Sequence, residues 1–551
     1  MQPPNDREGF PFVFAIAVFV TLGIAVVVAV SSAAQDSQTH DEAVHLVSGY
    51  SYWKTGDFRL SPEHPPFSKL IAALPLLWLH LDFSPSAEDW NGANAFAIGK
   101  AFLYSNRISA DSILMAGRAV VIVQYLILAA SLSWWVGRKA GYPAGLVALV
   151  MFAFEPTVLA HSRYVTTDIP VTLFIWLACI SWYSYLEQGG AWPLMRTGVL
   201  AGLAFATKFN ALFLPLVFAL TWNRRAKPKW TMIPITIGVA VFVAISTYGF
   251  NARSVAQDPI ASSHVETMPE PAGFVAEVVH ARIPGYYFLR GIQLLIRDQI
   301  GGYHSYFMGK MAKESTWRYF PVAFLFKSSL AWLALIALAV GVTVTHKKRP
   351  ELSLLAIPAL LYFAFTLMSS FNLGIRHLLP IYPFLCAFAA IVLFDAIRKP
   401  LVRVTATVLV VAFLAESAAT YPAYLSFFNS AAGGTVNGHR YLLDSNLDWG
   451  QDLKRLAQYE ESRKLEKLCL SYFGTADPEF YKIRNQPLPH LKTEEDLEAL
   501  DCVVAVSLQH LYATNDPPFE ALQSREPSDR VGASILIYDL RQHPVGDAST
   551  R

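Results

Sequence analysis

The chain has 551 residues, of which 54% are apolar and only 16% charged, against about a quarter charged in a soluble protein. That shortfall, with a mean hydropathy of +0.35, excludes a disordered chain, a nucleic-acid-binding protein and an ordinary cytosolic enzyme. A formal charge of +2, from 44 basic and 42 acidic residues, gives no pull on a polyanionic partner. Cys179, Cys386, Cys469 and Cys502 are too few and too scattered for a disulfide framework or a zinc knuckle. The composition is that of a polytopic α-helical membrane protein.

A helix needs about 20 mostly apolar residues to cross the hydrocarbon core. In chain order the candidate spans are 11–30, 112–136, 142–160, 169–186, 231–250, 319–345, 352–369, 378–396 and 402–420. The first has no small-residue cleavage motif close behind it and is read as an anchor rather than a cleaved signal. Segment 196–222 is interrupted by Thr207-Lys208-Phe209-Asn210, and the basic loops decide how to count it. Short basic loops stay cytoplasmic. Arg138-Lys139, Arg224-Arg225-Lys227-Lys229, Lys347-Lys348-Arg349 and Arg398-Lys399 fall on one side only if 196–222 is a hairpin of two short helices turning at Lys208. The count is then about eleven crossings, with the N-terminus inside and the C-terminus outside.

With this count the polar stretches 31–111, 161–168, 251–318, 370–377 and the tail 421–551 all fall outside. The tail reads differently from the rest. An amphipathic helix is expected at 448–465, then short β-type runs at Leu468–Tyr472, Cys502–Ser507 and Ser534–Leu540, with a helical patch at Glu494–Leu500. That alternation suggests a small α/β domain of about 100 residues. Cys469 and Cys502 are read as buried unpaired thiols, with a bridge as the alternative in an oxidising compartment.

The outer loops hold the residues able to do chemistry. Thr39-His40-Asp41-Glu42 opens a helical stretch, and a capping box from Thr39 to Glu42 is its plain structural reading. Pro62-Glu63-His64-Pro65-Pro66-Phe67-Ser68-Lys69 presents His64 and Lys69 on backbone stiffened by proline. Arg163 and Asp168 share the second short loop, where Asp168 could serve only as a helix cap. Arg376 and His377 stand at the outer end of a helix, and Lys208 sits at the hairpin tip, where either could merely anchor at the interface. Together they form the inventory for glycosyl transfer from a lipid phosphate. A carboxylate takes the proton of the attacking acceptor, and cations hold the departing phosphate. No nucleotide-binding glycine loop is present, which fits an already activated lipid donor.

At these residues the sequence resembles the integral-membrane glycosyltransferases of the GT-C class, in particular the protein O-mannosyltransferases (glycosyltransferase family 39) and the lipid-A aminoarabinose transferases, over roughly residues 10–420. The carriers are Asp41-Glu42 just after the first crossing and His64-Pro65-Pro66-Phe67-Ser68-Lys69, which is similar to a His-Pro-Pro-x-x-Lys signature. The resemblance implies a GT-C-like domain over 1–421; the tail departs from both relatives, and its own strand and helix pattern gives the expected periplasmic α/β domain over 422–551. The resemblance also implies Asp41 as the base of an inverting transfer, Glu42 as the residue orienting Asp41 or the acceptor, and Asp168 as the second acid, which assists acceptor or donor positioning. His64 stands where the aminoarabinose transferases carry a lysine near the donor phosphate, and Arg376 and His377 fall where late phosphate contacts lie. Lys69, Arg163 and Lys208 complete the expected phosphate-binding set. The tail, with its Ser445-Asn446-Leu447-Asp448-Trp449-Gly450-Gln451-Asp452 run, is similar to the tails of bacterial relatives.

The expected partners are a polyprenyl-phosphate-linked sugar, an acceptor that is protein, lipid or glycan, and the bilayer of a bacterial inner membrane. Mg²⁺ or Mn²⁺ would suit the oxygen-rich site, but the local cations make a metal dispensable and none is expected. Two other readings stay open: a lipid-linked sugar flippase, which would place ionisable groups inside the crossings, and a non-catalytic envelope scaffold, which would tolerate exchange of the outer-loop carboxylates.

Overall fold

A computed structural model describes residues 12–222, 232–258, 280–343, 350–489, 491, 493–513 and 519–541. The basic clusters at 224–229 and 347–349 lie outside the described residues. Among the described residues, five helices are long and apolar enough to cross a membrane: Phe12–Gln35, Ala110–Ala140, Asp168–Gln188, Ile375–Ala396 and Pro400–Thr420. Their burial sorts them. Phe12–Gln35 and Pro400–Thr420 turn Phe19, Val27, Val404 and Val408 outward, as helices facing lipid do, whereas Asp168–Gln188 is nearly encased.

The 196–222 segment breaks where its sequence does. Ala191–Phe205 ends before Lys208, and Leu214–Thr221 follows a short 3-10 turn over Phe209–Phe213. Lys208 Nζ lies 2.6 Å from Asp168 Oδ1, at the start of the Asp168–Gln188 helix. Trp182 Nε1, fourteen residues further along that helix, donates to Thr221 Oγ1 at 2.9 Å. The chain therefore goes out to the Asp168 end and returns. Gly198 faces Thr236 and Gly202 faces Ala240, so Ala191–Phe205 runs parallel to Met232–Ser246, as a hairpin between them requires.

Two spans read as single crossings are broken. In 319–345, Tyr319–Lys327 and Leu330–Thr343 meet at 109°. The break falls at the buried Lys327, whose ammonium donates to the carbonyls of Leu425, Phe427 and Asn446, far along the chain. Those acceptors lie in the linker beyond the last long helix, and a straight span could not reach them. In 142–160, Tyr142–Ala153 stops before Glu155, whose carboxylate accepts from Val158 N–H (3.0 Å) and caps Pro156–His161.

The tail folds on a five-stranded sheet. Its order is Asn485–Pro487, Leu468–Ser471, Val503–Ser507, Ile535–Asp539 and Asp529–Val531, with the first three strands parallel and the last two antiparallel to their neighbours. The amphipathic helix spans Leu453–Arg463, shorter than 448–465 because Asp444–Asp452 is spent on turns. Cys469 and Cys502 form a disulfide, which corrects their reading as free thiols. The register explains it: Leu468 pairs with Val503, which brings the preceding Cys502 to a Cα separation of 6.0 Å from Cys469.

A buried ionic web docks the tail on the first outer loop. Asp36 holds Arg163 (2.8 Å) and Arg455 (2.9 Å), and Arg455 also reaches Asp452 (2.5 Å). Backbone bonds from Ser37 N to Gln451 O and from His40 N to Trp449 O, both 3.0 Å, lay the two segments side by side.

Candidate active site

The loop after the first crossing turns into the Glu42–Thr55 helix, and Asp41 is the residue just before it. Helix periodicity places His45 one turn on, on the same face. The His64 loop is fixed from below by Lys69, whose Nζ donates to Ser61 O (2.6 Å) and His64 O (2.8 Å). Lys208 arrives from the hairpin tip and Arg376 from the start of the Ile375–Ala396 span. These elements meet around a cavity of 520 Å³ lined by His40, Asp41, His45, His64, Lys208, Arg376 and His377.

Within it, Arg376 Nη1 lies 3.1 Å from Asp41 Oδ2 and 3.8 Å from Asp168 Oδ2. Asp168 is itself held by Lys208 and lies behind the lining, 2% exposed at its side chain. Several polar atoms here are buried without a hydrogen-bond partner among the described residues: Nδ1 of His40 and His45, Nε of Arg376, Nε2 of His377 and Oδ2 of Asp168. Buried polar atoms are normally satisfied, so this concentration gives the cavity wall hydrogen-bonding capacity that a polar ligand or water can use.

Charge divides the groups. Burial opposes ionisation of Asp41, but Arg376, His45 and His40 outweigh it and hold the carboxyl below its ordinary value. His45 is pulled down to about 4 by burial, against the attraction of Asp41. Burial and then Lys208 push His64 well below its usual value. Burial brings the Lys69 ammonium down to about 7, with Glu63 acting the other way. At neutral pH an ionised Asp41 thus stands in one cavity with neutral His45 and His64.

Not every expected residue reaches the cavity. Glu42 points away from it: Arg118 grips both its oxygens (2.8 and 2.6 Å), and the N–H groups of Thr39 (2.9 Å) and Val165 (3.0 Å) complete its shell. The capping box is accordingly half formed, since Thr39 Oγ1 has no partner among the described residues. Arg163 is locked on Asp36, and Lys69 on its two carbonyls; neither lines the cavity. Other participants went unread in the sequence. Arg118, a lone cation in an apolar run, and His45, four residues after Asp41, had readable signals. Asp444, Trp449, Phe473 and Gln509 line the cavity from the tail, and nothing local in the sequence marks Phe473 or Gln509.

The far wall comes from Tyr286–Gly301, an amphipathic helix inside the outer loop 251–318. Leu294 and Leu295 face the cavity while Leu289, Ile296 and Ile300 remain exposed. It approaches so closely that a Cβ at Gly291 would stand 2.5 Å from Pro62 O and 2.9 Å from the Phe209 ring.

Residues 105–248 match the family described as dolichyl-phosphate-mannose-protein mannosyltransferase. The matched stretch contains Arg118, Arg163, Asp168 and Lys208, and leaves Asp41, His64 and Arg376 outside it. No curated protein matches the chain. Among solved structures it is similar to ArnT from Cupriavidus metallidurans bound to undecaprenyl phosphate, at 12% identity over 96% of this chain and 99% of that one, with a TM-score of 0.47. The apo state of the same ArnT gives 12% identity, the same coverage and a TM-score of 0.45. The Pmt1-Pmt2 protein O-mannosyltransferase complex of S. cerevisiae bound to the sugar donor gives 18% identity over 43% of this chain and 32% of that one, with a TM-score of 0.27. The family match stands beside the motifs at Asp41 and His64: this is a multi-pass membrane protein that resembles the O-mannosyltransferase-like glycosyltransferases of the GT-C class.

Proposed function

We propose that the protein is an inverting glycosyltransferase that moves one sugar from a polyprenyl phosphate to an acceptor on the periplasmic face of a bacterial inner membrane. The observation that carries this reading is the single cavity in which the Asp41 carboxylate stands against Arg376, with Lys208 and two further imidazoles, His64 and His377, on the walls. In the reaction the acceptor oxygen or nitrogen forms a bond to the anomeric carbon as the bond from that carbon to the phosphate oxygen breaks. Asp41 takes the acceptor's proton. The electron pair leaves with the polyprenyl phosphate, and the guanidinium of Arg376 and the ammonium of Lys208 hold the charge that grows on it. His64, neutral at rest, and His377 contribute N–H donors to the same oxygens. Asp168 keeps Lys208 and Arg376 in place. In this scheme the cations of the chain carry the phosphate charge.

Depth in the membrane supports the placement. Lys139 pairs with Glu187 at 2.7 Å, nineteen residues beyond Asp168 on the same helix, or about 28 Å at 1.5 Å per residue. That is roughly a hydrocarbon thickness, so Arg138-Lys139 and the cavity mark opposite faces. Basic loops tend to remain cytoplasmic, which supports an outer position for the cavity. The Cys469–Cys502 disulfide suits an oxidising compartment. The exposed apolar edge of Tyr286–Gly301 provides a greasy border along which a polyprenyl chain can enter.

The test is transfer by the purified full-length protein in lipid nanodiscs, supplied with α- or β-configured undecaprenyl-phosphate sugars and envelope acceptors. Release of undecaprenyl phosphate coupled to a product of inverted anomeric configuration is expected. Retention of configuration, or movement of the lipid between leaflets without product, contradicts the reading.

A further inference from the structure

We propose that Asp444, carried by the tail, is the residue that reads sugar hydroxyl groups in this cavity, so that the tail completes the site. The inference rests on the glycosyl-transfer reading and adds a specificity residue to it. Asp444 lines the same cavity as Asp41, within electrostatic reach of Asp41 and Arg376. It is held firmly. Its φ is +56°, in the left-handed region that Asp and Asn tolerate best after glycine, and its N–H donates to Gln509 Oε1 at 2.8 Å. Its Oδ1 accepts from Ser445 N–H at 2.5 Å, while Oδ2 meets no donor among the described residues.

The next two residues bind it to the phosphate end of the site. Ser445 Oγ donates to Leu373 O (2.7 Å), and Asn446 Oδ1 accepts from Ile375 N–H (2.9 Å), which brackets the chain just before Arg376. A Cβ on Gly374 would stand 2.2 Å from Ser445 Oγ, so the two strands of chain touch. Asp444 is thereby set at a fixed offset from the phosphate-gripping guanidinium, which is where a residue must sit to read the sugar attached to that phosphate or the sugar attacking it.

The surroundings have the chemistry of carbohydrate recognition. A carboxylate accepts hydrogen bonds from neighbouring hydroxyls, and aromatic faces cover the C–H side of a sugar ring. Trp449 lies under the Arg376 guanidinium, 4.4 Å from it, and Phe473 stacks on His40 with ring centroids 5.3 Å apart. Both come from the tail or against it. Phe473 and Gln509 follow directly on the parallel strands Leu468–Ser471 and Val503–Ser507, at the carboxyl ends where open sheets commonly place ligands. Burial, reinforced by Asp41 and opposed by Arg376 and Ser445 N–H, pushes the Asp444 carboxyl up while Asp41 is held down. The two acids are thus differentiated, one as proton acceptor and the other for exchanging hydrogen bonds with hydroxyls.

The experiment compares wild type, Asp444→Asn and Asp444→Ala as full-length protein in nanodiscs, with a thermal unfolding curve on each to establish folding. Binding is measured for bare undecaprenyl phosphate and for a panel of undecaprenyl-phosphate hexoses and pentoses, and KM is measured for donor and acceptor separately. Asp444→Ala is expected to bind the bare lipid within twofold of wild type. It is expected to lose at least tenfold, either in affinity for the preferred sugar-bearing lipid, which assigns the donor sugar, or in acceptor KM, which assigns an acceptor sugar. Asp444→Asn should recover part of the loss. Unchanged constants for both substrates in a folded Asp444→Ala protein, or an equal loss for the bare lipid, overturn the inference. A wild type that binds no undecaprenyl phosphate at all overturns instead the reading beneath it.

Discussion

Asp41 and Glu42 are neighbours in the chain with different surroundings. Asp41 faces the cavity and is held ionised by Arg376, while Glu42 is sealed off with Arg118 on both its oxygens. The depressed Asp41 carboxyl fixes the sign of a pH dependence. A base with a lowered pKa stays competent as pH falls through the ordinary carboxylate range and fails only beneath it. With His45 at about 4, His64 lower than usual and the Lys69 ammonium at about 7, kcat/KM should hold steady between pH 6 and 5. An acid limb centred within that window would reassign the base to a histidine. Glu42 belongs to stability. Glu42→Gln leaves the fully buried Arg118 unpaired and should cost about 3–5 kcal/mol, whereas Glu42→Leu with Arg118→Met should cost less than either single change. Thermal unfolding in detergent distinguishes the two outcomes, and a silent Glu42→Gln would show that the pair is not a structural clamp.

At the scale of elements, the sequence was most readable where a hydrophobic run was interrupted by a residue with only one good place to go. Lys208 in 196–222 signalled a turn, and the chain does turn there, beside Asp168. Lys327 carried the same signal in 319–345 and was passed over, because the carbonyls that bind it lie about a hundred residues further on, in Leu425 and Phe427. A long-range acceptor leaves no mark on local hydropathy. Three of the five strands were legible as apolar runs, while the edge strands Asn485–Pro487 and Asp529–Val531 were not, and the cysteine pairing was hidden because it depends on the register of Leu468 against Val503. That bridge closes a separation of 33 residues and should contribute about 2–4 kcal/mol to the tail. Replacing both cysteines by serine should lower the tail's unfolding midpoint and raise its protease sensitivity, leaving the membrane helices intact. Equal stability of the bridged and unbridged tails would contradict this.

For the molecule as a whole, most of the cavity lining comes from the loops of the helical part, and the tail adds Asp444, Trp449, Phe473 and Gln509. Asp41, His64, Lys208, Arg376 and His377 could be assembled from loop motifs and a side count, because membrane topology forces polar loops to one face. Arg163 shows the limit of that reasoning: it reaches the same face but is consumed by Asp36 in docking the tail. Asp444 and Trp449 are some four hundred residues from Asp41 and share no pattern with it; the packing of their turn segment on Leu373 and Ile375 reveals them. The central claim is that Asp41 takes the acceptor's proton in a cavity built to grip a lipid phosphate. It is tested most directly by single-turnover transfer from a radiolabelled undecaprenyl-phosphate sugar, comparing wild type with Asp41→Asn after equal donor binding has been verified. Asp41→Asn should bind the donor and transfer at least a hundredfold more slowly; transfer at the wild-type rate would contradict the assignment.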